Sequence, residues 1–421
     1  MEPFFKTFDN GMRLVFKKVE KDRPATLFVC VKAGSVNETD KNNGISHFIE
    51  HLNFKGTQKR SAKQISTELE EIGANANAFT SKFTTCFFAT TLCEQMENCF
   101  DILSDIIFNS KYNEEDIDKE RKVIFEEIDM YADDPDSVSY EEFTKNFYEG
   151  SDLQKTVLGT KRSLKNITRQ DIVDYVQQNY TAPNIIVSVV GHFDEKFIEG
   201  LTKKYFSNRF KNKSLPAQFD KNIEVDPKKK FSFIEKDVAQ THITFGFPCP
   251  NTYYSKRMAY VLAGFIFGGG MGSRLFQKVR EEQGLVYSIT SMPEMSAYGG
   301  DFVISLGTNK KYGSKAMNII KAEMDKLKKH GFKQEELDRA KIFSKSLIVS
   351  SSELGADISK SNALSIATYG KVVSVNDKLE KINKVTLDDI NEVAQKTFNY
   401  DKVCGCVVSQ QVDKSLFKIF D

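Results

Sequence analysis

No apolar run in this 421-residue chain approaches the roughly 20 residues needed to cross a bilayer. The opening stretch, Met1-Glu2-Pro3-Phe4-Phe5-Lys6, shows no basic segment leading into an apolar one, so no secretory signal is expected. Neither sign of charge dominates. Fifty-nine Lys and Arg against 58 Asp and Glu leave a net charge of +1, which removes the electrostatic case for nucleic acid or an anionic membrane as partner. Cysteine is sparse: seven residues, an odd number, with no metal-site spacing among them. Cys404 and Cys406, two apart on a strand-like run, read as packing on one face. Reduced thiols in a cytoplasmic protein are expected. Histidine is scarcer still, with five in the chain.

Two of those five fall in His47-Phe48-Ile49-Glu50-His51. On a helix, positions i and i+4 lie on the same face. His47 and His51 can therefore grip one ion, with Glu50 beside them. Ile45, Phe48, Ile49 and Leu52 recur at helical spacing, and Asn42-Asn43-Gly44 supplies start signals. A lone histidine on an apolar face is ordinarily a packed core residue. A pair at this spacing enclosing a glutamate points instead to a metal. A catalytic zinc site needs a third protein ligand and an open position.

The length calls for two or more domains, and a hydrophobic content of 40% can build their cores. Strands are expected over 12–18 and 25–33, then the histidine helix, a helix over 62–72 stopped by Gly73, and strands over 75–80 and 83–92. Amphipathic helices follow over 94–109 and 114–131. Thr168 and Asp171 open a further helix, and 185–190 reads as a buried strand. Between about 208 and 230 the composition turns polar, charged and proline-punctuated, the mark of a linker.

Beyond it the order of elements returns: strands at 231–236 and 241–247, helices at 256–267 and 273–283, strands near 286–292 and 301–307. Val385-Thr386-Leu387-Asp388-Asp389-Ile390 repeats the cap pattern of residues 167–172 and leads to a buried strand at 403–408. The chain thus reads as an internal duplication of two α+β units of about 210 residues. The expected division is 1–208, a linker at 209–230, and 231–421. The second unit carries Ala259-Tyr260-Val261-Leu262-Ala263-Gly264-Phe265 in place of the histidines, so one metal site per chain is expected.

Periodicity narrows the third ligand. In the helix at 114–131, Ile117, Glu120, Ile124, Glu127, Ile128 and Tyr131 share a stripe, whereas Glu126 falls on a solvated one. An unpaired carboxylate on an apolar stripe is costly, and a cation removes the cost. Glu127 or Glu120 is the candidate; a buried salt bridge to an arginine is the competing explanation. Gly268-Gly269-Gly270-Met271-Gly272 follows a helix-like run and lacks the Gly-Lys-Ser/Thr ending of a phosphate loop. It reads as a flexible loop or as a helix C-cap.

His47 to Thr57 resembles the signature of the inverzincin peptidases related to pitrilysin, insulin-degrading enzyme and the mitochondrial processing peptidase, an H-x-x-E-H class. The similarity extends to Asn77-Ala78-Phe79-Thr80-Ser81, which resembles the family's substrate-binding edge strand. Glu120-Arg121-Lys122-Val123-Ile124-Phe125-Glu126-Glu127 resembles its downstream glutamate segment, and Arg280 with Tyr287 its arginine–tyrosine pair. Asn53 departs from the apolar residue common there.

The resemblance implies two α+β units, each a mostly antiparallel sheet packed with helices. It implies one zinc per chain on His47, His51 and Glu127, Glu50 as catalytic proton shuttle, and Glu120 supporting the ligands. Asn77, Ala78 and Phe79 would receive an extended peptide, and Arg280 and Tyr287 would bind its backbone or the developing oxyanion. On this basis residues 1–208 would be catalytic and residues 231–421 substrate-binding. The implied activity is zinc-dependent endopeptidase cleavage of extended peptides or unfolded segments inside a closed chamber, by a homodimer whose active sites are shared between chains. Two alternatives come with the family: a presequence-processing subunit paired with an inactive homologue, and a noncatalytic scaffold.

Overall fold

The computed structural model describes residues 2–210 and 225–421. The first half of the chain runs β1 (Phe4–Thr7), β2 (Arg13–Lys18), β3 (Ala25–Val31), α1 (Ile45–Asn53), α2 (Ala62–Glu71), β4 (Asn75–Thr80) and β5 (Thr85–Thr91). Then come α3 (Met96–Phe108), α4 (Glu114–Asp133), α5 (Pro135–Phe147), α6 (Lys161–Asn166), α7 (Arg169–Asn179), β6 (Ile185–Gly191) and α8 (Glu195–Tyr205). The second half runs β7 (Lys230–Glu235), β8 (Thr241–Cys249), α9 (Arg257–Gly268), β9 (Val286–Met295), β10 (Gly300–Thr308) and α10 (Gly313–His330). It ends with α11 (Gln334–Ser350), α12 (Gly355–Tyr369), α13 (Val375–Lys384), α14 (Leu387–Thr397) and β11 (Cys404–Ser409). Of the linker expected over 209–230, residues 211–224 lie outside the described residues.

The strands form two sheets, ordered β1-β2-β6-β3-β5-β4 and β7-β11-β8-β10-β9. Each has one parallel pair, β2 with β6 and β11 with β7, among antiparallel neighbours. From β2 and β7 onward the two orders are the same walk, which is the signature of a duplicated unit. The fold class is therefore α+β with two mostly antiparallel sheets.

Compact units do not follow sequence order. One comprises Met1–Ile128, Lys155–Asp220 and Val349–Val375; the other comprises Asp129–Gln154, Lys221–Ile348 and Asn376–Asp421. The division expected at 208 and 231 misses this exchange, and the reason is burial. Each sheet has two apolar faces, and each half of the sequence supplies helices for only one. In the first unit Val15, Phe28, Cys30, Cys86 and Ile186 face away from the main core and are covered by Ala363 and Ile366 of α12. The Ser359 hydroxyl donates to the Ser188 carbonyl at 3.0 Å. In the second unit α5 plays the same part. Ser139 and Thr244 hydroxyls meet at 2.6 Å, and Gly246 leaves the space that Phe143 fills, since a Cβ there would lie 2.8 Å from its ring.

The first unit's main core packs Leu27, Val29, Phe87 and Ala89 of the sheet against Phe48, Ile49 and Leu52 of α1 and Ile117 and Ile124 of α4. That packing sets α1 and α4 side by side. The helix expected over 273–283 contains a π-helical segment, Phe276–Glu281, a widened turn of the kind often found at functional sites.

Candidate metal centre

α1 starts abruptly. Its N-cap is Gly44, at φ +95° and without a side-chain cap. A Cβ at Gly44 would lie 2.6 Å from the Leu158 carbonyl oxygen, so both the left-handed backbone and the close approach require glycine. The missing cap is supplied by Glu38. Its fully buried carboxylate accepts the Gly44 N–H at 2.7 Å, the Ser46 N–H at 2.9 Å and the Asn43 side-chain amide at 2.8 Å. A carboxylate also complements the positive end of the helix. Burial lifts the Glu38 carboxyl above its ordinary range, while these donors pull it back.

With α1 so anchored, His47 and His51 stack along one face, ring centroids 4.6 Å apart. Opposite them α4 presents Glu127. Its Oε2 lies 3.7 Å from His47 Nε2 and 3.6 Å from His51 Nε2. Ligand atoms from His47, His51 and Glu127 all fall within 4.8 Å of one another, and among the described residues they are the one such group of three or more. The spacing is too long for direct hydrogen bonds and near the ~3.4 Å edge of a tetrahedron with ~2.1 Å metal–ligand bonds. Burial, then the neighbouring His51, holds the His47 imidazole down to about 3, so it is neutral at physiological pH, the form that ligates. Two neutral-capable imidazoles and a carboxylate are a donor set that suits zinc.

Glu120, buried two turns before Glu127, accepts from His51 Nδ1 at 3.2 Å and pairs with Lys55 Nζ at 2.8 Å. It fixes the ring whose other nitrogen faces Glu127. Among the described residues neither glutamate pairs with an arginine. Glu126 is exposed. The apolar stripe on α4 ends sooner than the sequence suggests: Tyr131 is exposed.

Glu50 sits a residue before His51 and is half-buried. Its carboxylate accepts from the Thr80 hydroxyl at 2.5 Å. Burial raises the Glu50 carboxyl, against the Thr80 hydrogen bond and His51. Thr80 ends β4, an edge strand bonded to β5 alone. Asn77, Ala78 and Phe79 lie on that edge, opposite Phe88, Phe87 and Cys86. The Asn77 side-chain oxygen accepts the Ala78 N–H at 2.8 Å.

Arg280 and Tyr287 lie in the second unit, at the end of the π-helical segment and the start of β9. The guanidinium stands 5.6 Å from the Tyr287 ring centre and 4.8 Å from that of Phe276, and Tyr287 is 73% exposed. The glycine run after α9 is its C-terminal cap, with Gly269 at the cap position. Asn53 is fully buried; its side-chain oxygen accepts from the Tyr112 hydroxyl at 2.8 Å, while its amide nitrogen finds no partner among the described residues. Sequence reasoning missed Glu38, Lys55 and the Thr80 contact. The absence of a capping side chain at Gly44 was the one local sign that a distant residue must cap α1.

No helix among the described residues is long and apolar enough to cross a membrane. Residues 13–161 match the family profile described as Insulinase (Peptidase family M16), and residues 166–343 match Peptidase M16 inactive domain. The chain is 31% identical to the Uncharacterized zinc protease YmxG of Bacillus subtilis over 396 residues, covering 94% of this chain and 95% of that one. It is 33% identical to an Uncharacterized zinc protease of Rickettsia felis, covering 93% of each. Among solved structures, a protease from Helicobacter pylori superposes with a TM-score of 0.91 at 23% identity, covering 97% of this chain and 99% of that chain. At that identity the likeness shows the fold.

Proposed function

Because the chain belongs to the insulinase family of peptidases, family M16, we propose that it is a zinc metalloendopeptidase acting on extended peptides. The observation that carries this reading is the convergence of His47, His51 and Glu127 within 4.8 Å, with Glu50 bonded to the end of an open strand edge. His47, His51 and Glu127 would hold one zinc per chain. When bound, zinc supplies a Lewis acid that acidifies water and polarises a carbonyl.

The chain's own groups do the rest. Glu50 takes the proton of the attacking water and returns it to the leaving amine, and its raised carboxyl suits both transfers. Thr80 holds Glu50 in place, and so ties the base to the strand that receives the substrate. Glu120 keeps the His51 ring oriented, and Lys55 holds Glu120 in place. The edge at Asn77, Ala78 and Phe79 receives the peptide as an added strand, through main-chain bonds that tolerate many sequences. Asn77 releases the Ala78 N–H as the peptide arrives. Arg280 and Tyr287 bind the peptide backbone or the developing oxyanion.

The working form in this reading is a cytoplasmic homodimer enclosing a chamber, with each zinc site facing the second unit of the other chain. Residues 1–208 then contribute the catalytic side and residues 231–421 the substrate-binding side. The complete donor set with its base argues against a noncatalytic scaffold. The presence of Arg280 and Tyr287 in the same chain argues against dependence on an inactive homologue. The test is digestion of a peptide library by the purified protein. Cleavage that stops on chelation and returns with added zinc supports the proposal. Cleavage indifferent to chelation, or none with zinc present, overturns it.

A further inference from the structure

Seven cysteines are free, and strand register sets two of them directly opposite one another: Cys30 on β3 faces Cys86 on β5. Cys249, Cys404 and Cys406 face other residue types. Opposed residues on antiparallel strands have Cα atoms about 4.5–5.5 Å apart, inside the roughly 4.4–6.8 Å range that a disulfide spans. The Cys30 and Cys86 side chains lie on the same face of the sheet, in one apolar cluster.

Their surroundings are uneven. Phe28, Val15 and Ile186 of the sheet and Ala363 and Ile366 of α12 pack around them, and both are fully buried. Charge is nevertheless near. One transverse row crosses the sheet as Arg13, Ile186, Cys30, Cys86 and Phe79. At one end of the row stands Arg13. At the other, Lys360 of α12 lies 4.8 Å from the Phe79 ring centre and acts on Cys86. Cations beside a thiol favour the thiolate, the nucleophilic form. Burial works the other way and raises Cys86. α12 begins at Gly355 and stops at Gly370, which takes a left-handed backbone at φ +69°.

We propose that Cys30 and Cys86 are a paired oxidation site that takes two electrons' worth of oxidation from a hydroperoxide and closes as a cross-strand disulfide under α12. One thiolate attacks the peroxide; an S–O bond forms, the O–O bond breaks, and water leaves, giving a sulfenic acid. The second thiol then attacks that sulfur; the S–S bond forms, the S–O bond breaks, and a second water leaves. The two thiols together lose two hydrogens and two electrons, and one hydrogen peroxide becomes two waters. Only small oxidants reach the site, because access depends on brief opening of α12.

The test uses the native wild-type protein. It is incubated with hydrogen peroxide, quenched, unfolded, alkylated and mapped by mass spectrometry. The expected result is a peptide linked through Cys30 and Cys86, two hydrogens lighter than its parts and released by dithiothreitol. The thermal midpoint should rise by roughly 5 °C in the oxidised protein and stay put in peroxide-treated Cys30→Ser. The proposal is overturned if both thiols remain alkylatable after treatment. It is equally overturned if Cys86 passes to sulfinic acid unlinked, or if the link joins a different pair such as Cys404 and Cys406.

Discussion

Glu126 and Glu127 are neighbours with opposite surroundings. Glu127 faces two imidazoles at 3.6 and 3.7 Å; Glu126 is exposed to water. Glu127→Gln should weaken zinc binding by on the order of 100-fold and lose the metal at moderate chelator concentration, while Glu126→Gln keeps it. Metal content after graded chelation measures this, and equal loss in both variants would refute the assignment. The helical step of 100° made that distinction legible in the sequence, because adjacent residues cannot share a face. The same periodicity could not separate Glu127 from Glu120, which share a stripe. Only the structure shows that Glu120 meets the His51 Nδ1 while Glu127 meets the nitrogens on the other side. Glu38 was illegible for a different reason. It reaches α1 across a loop, and no periodic pattern encodes a contact of that kind.

At the scale of the element, the most exacting joint is the start of α1. Glu38 satisfies three donors there, two of them among the first N–H groups that no helix can satisfy internally. Glu38→Ala should cost roughly 3 kcal/mol of stability and loosen the zinc helix without touching a ligand. Chemical denaturation checks the first part and zinc titration the second; an unchanged unfolding midpoint would show that the cap is dispensable. Strands and amphipathic helices were readable because burial on one face writes a period into the sequence. The caps at Thr168 and Thr386 were readable because their partners, Asp171 and Asp389, lie three residues away. The exchange of α5 and α12 was not readable. Nothing in either helix says which sheet it covers, since both sheets offer a similar apolar face. The π-helical turn at 276–281 was likewise hidden, because one residue of extra winding leaves the apolar pattern almost unchanged.

For the whole molecule, the duplicated walk of the two sheets was legible from repeated order and repeated caps, while the pairing of units across chains in the proposed homodimer is a matter for mixing experiments. Glu50→Gln and Tyr287→Phe chains, each weak alone, should regain activity when exchanged into mixed dimers, since one site of each mixed dimer escapes both changes. With random exchange about a quarter of all sites become intact. No rise, with exchange verified by mass, would mean that Tyr287 acts within its own chain or not at all. The most direct measurement of the central claim is zinc content and peptide turnover, taken together, on Glu50→Gln. A proton shuttle that is not a ligand predicts about one zinc per chain retained and hydrolysis reduced on the order of a thousandfold. Full turnover in the variant, or loss of its zinc, would contradict the account.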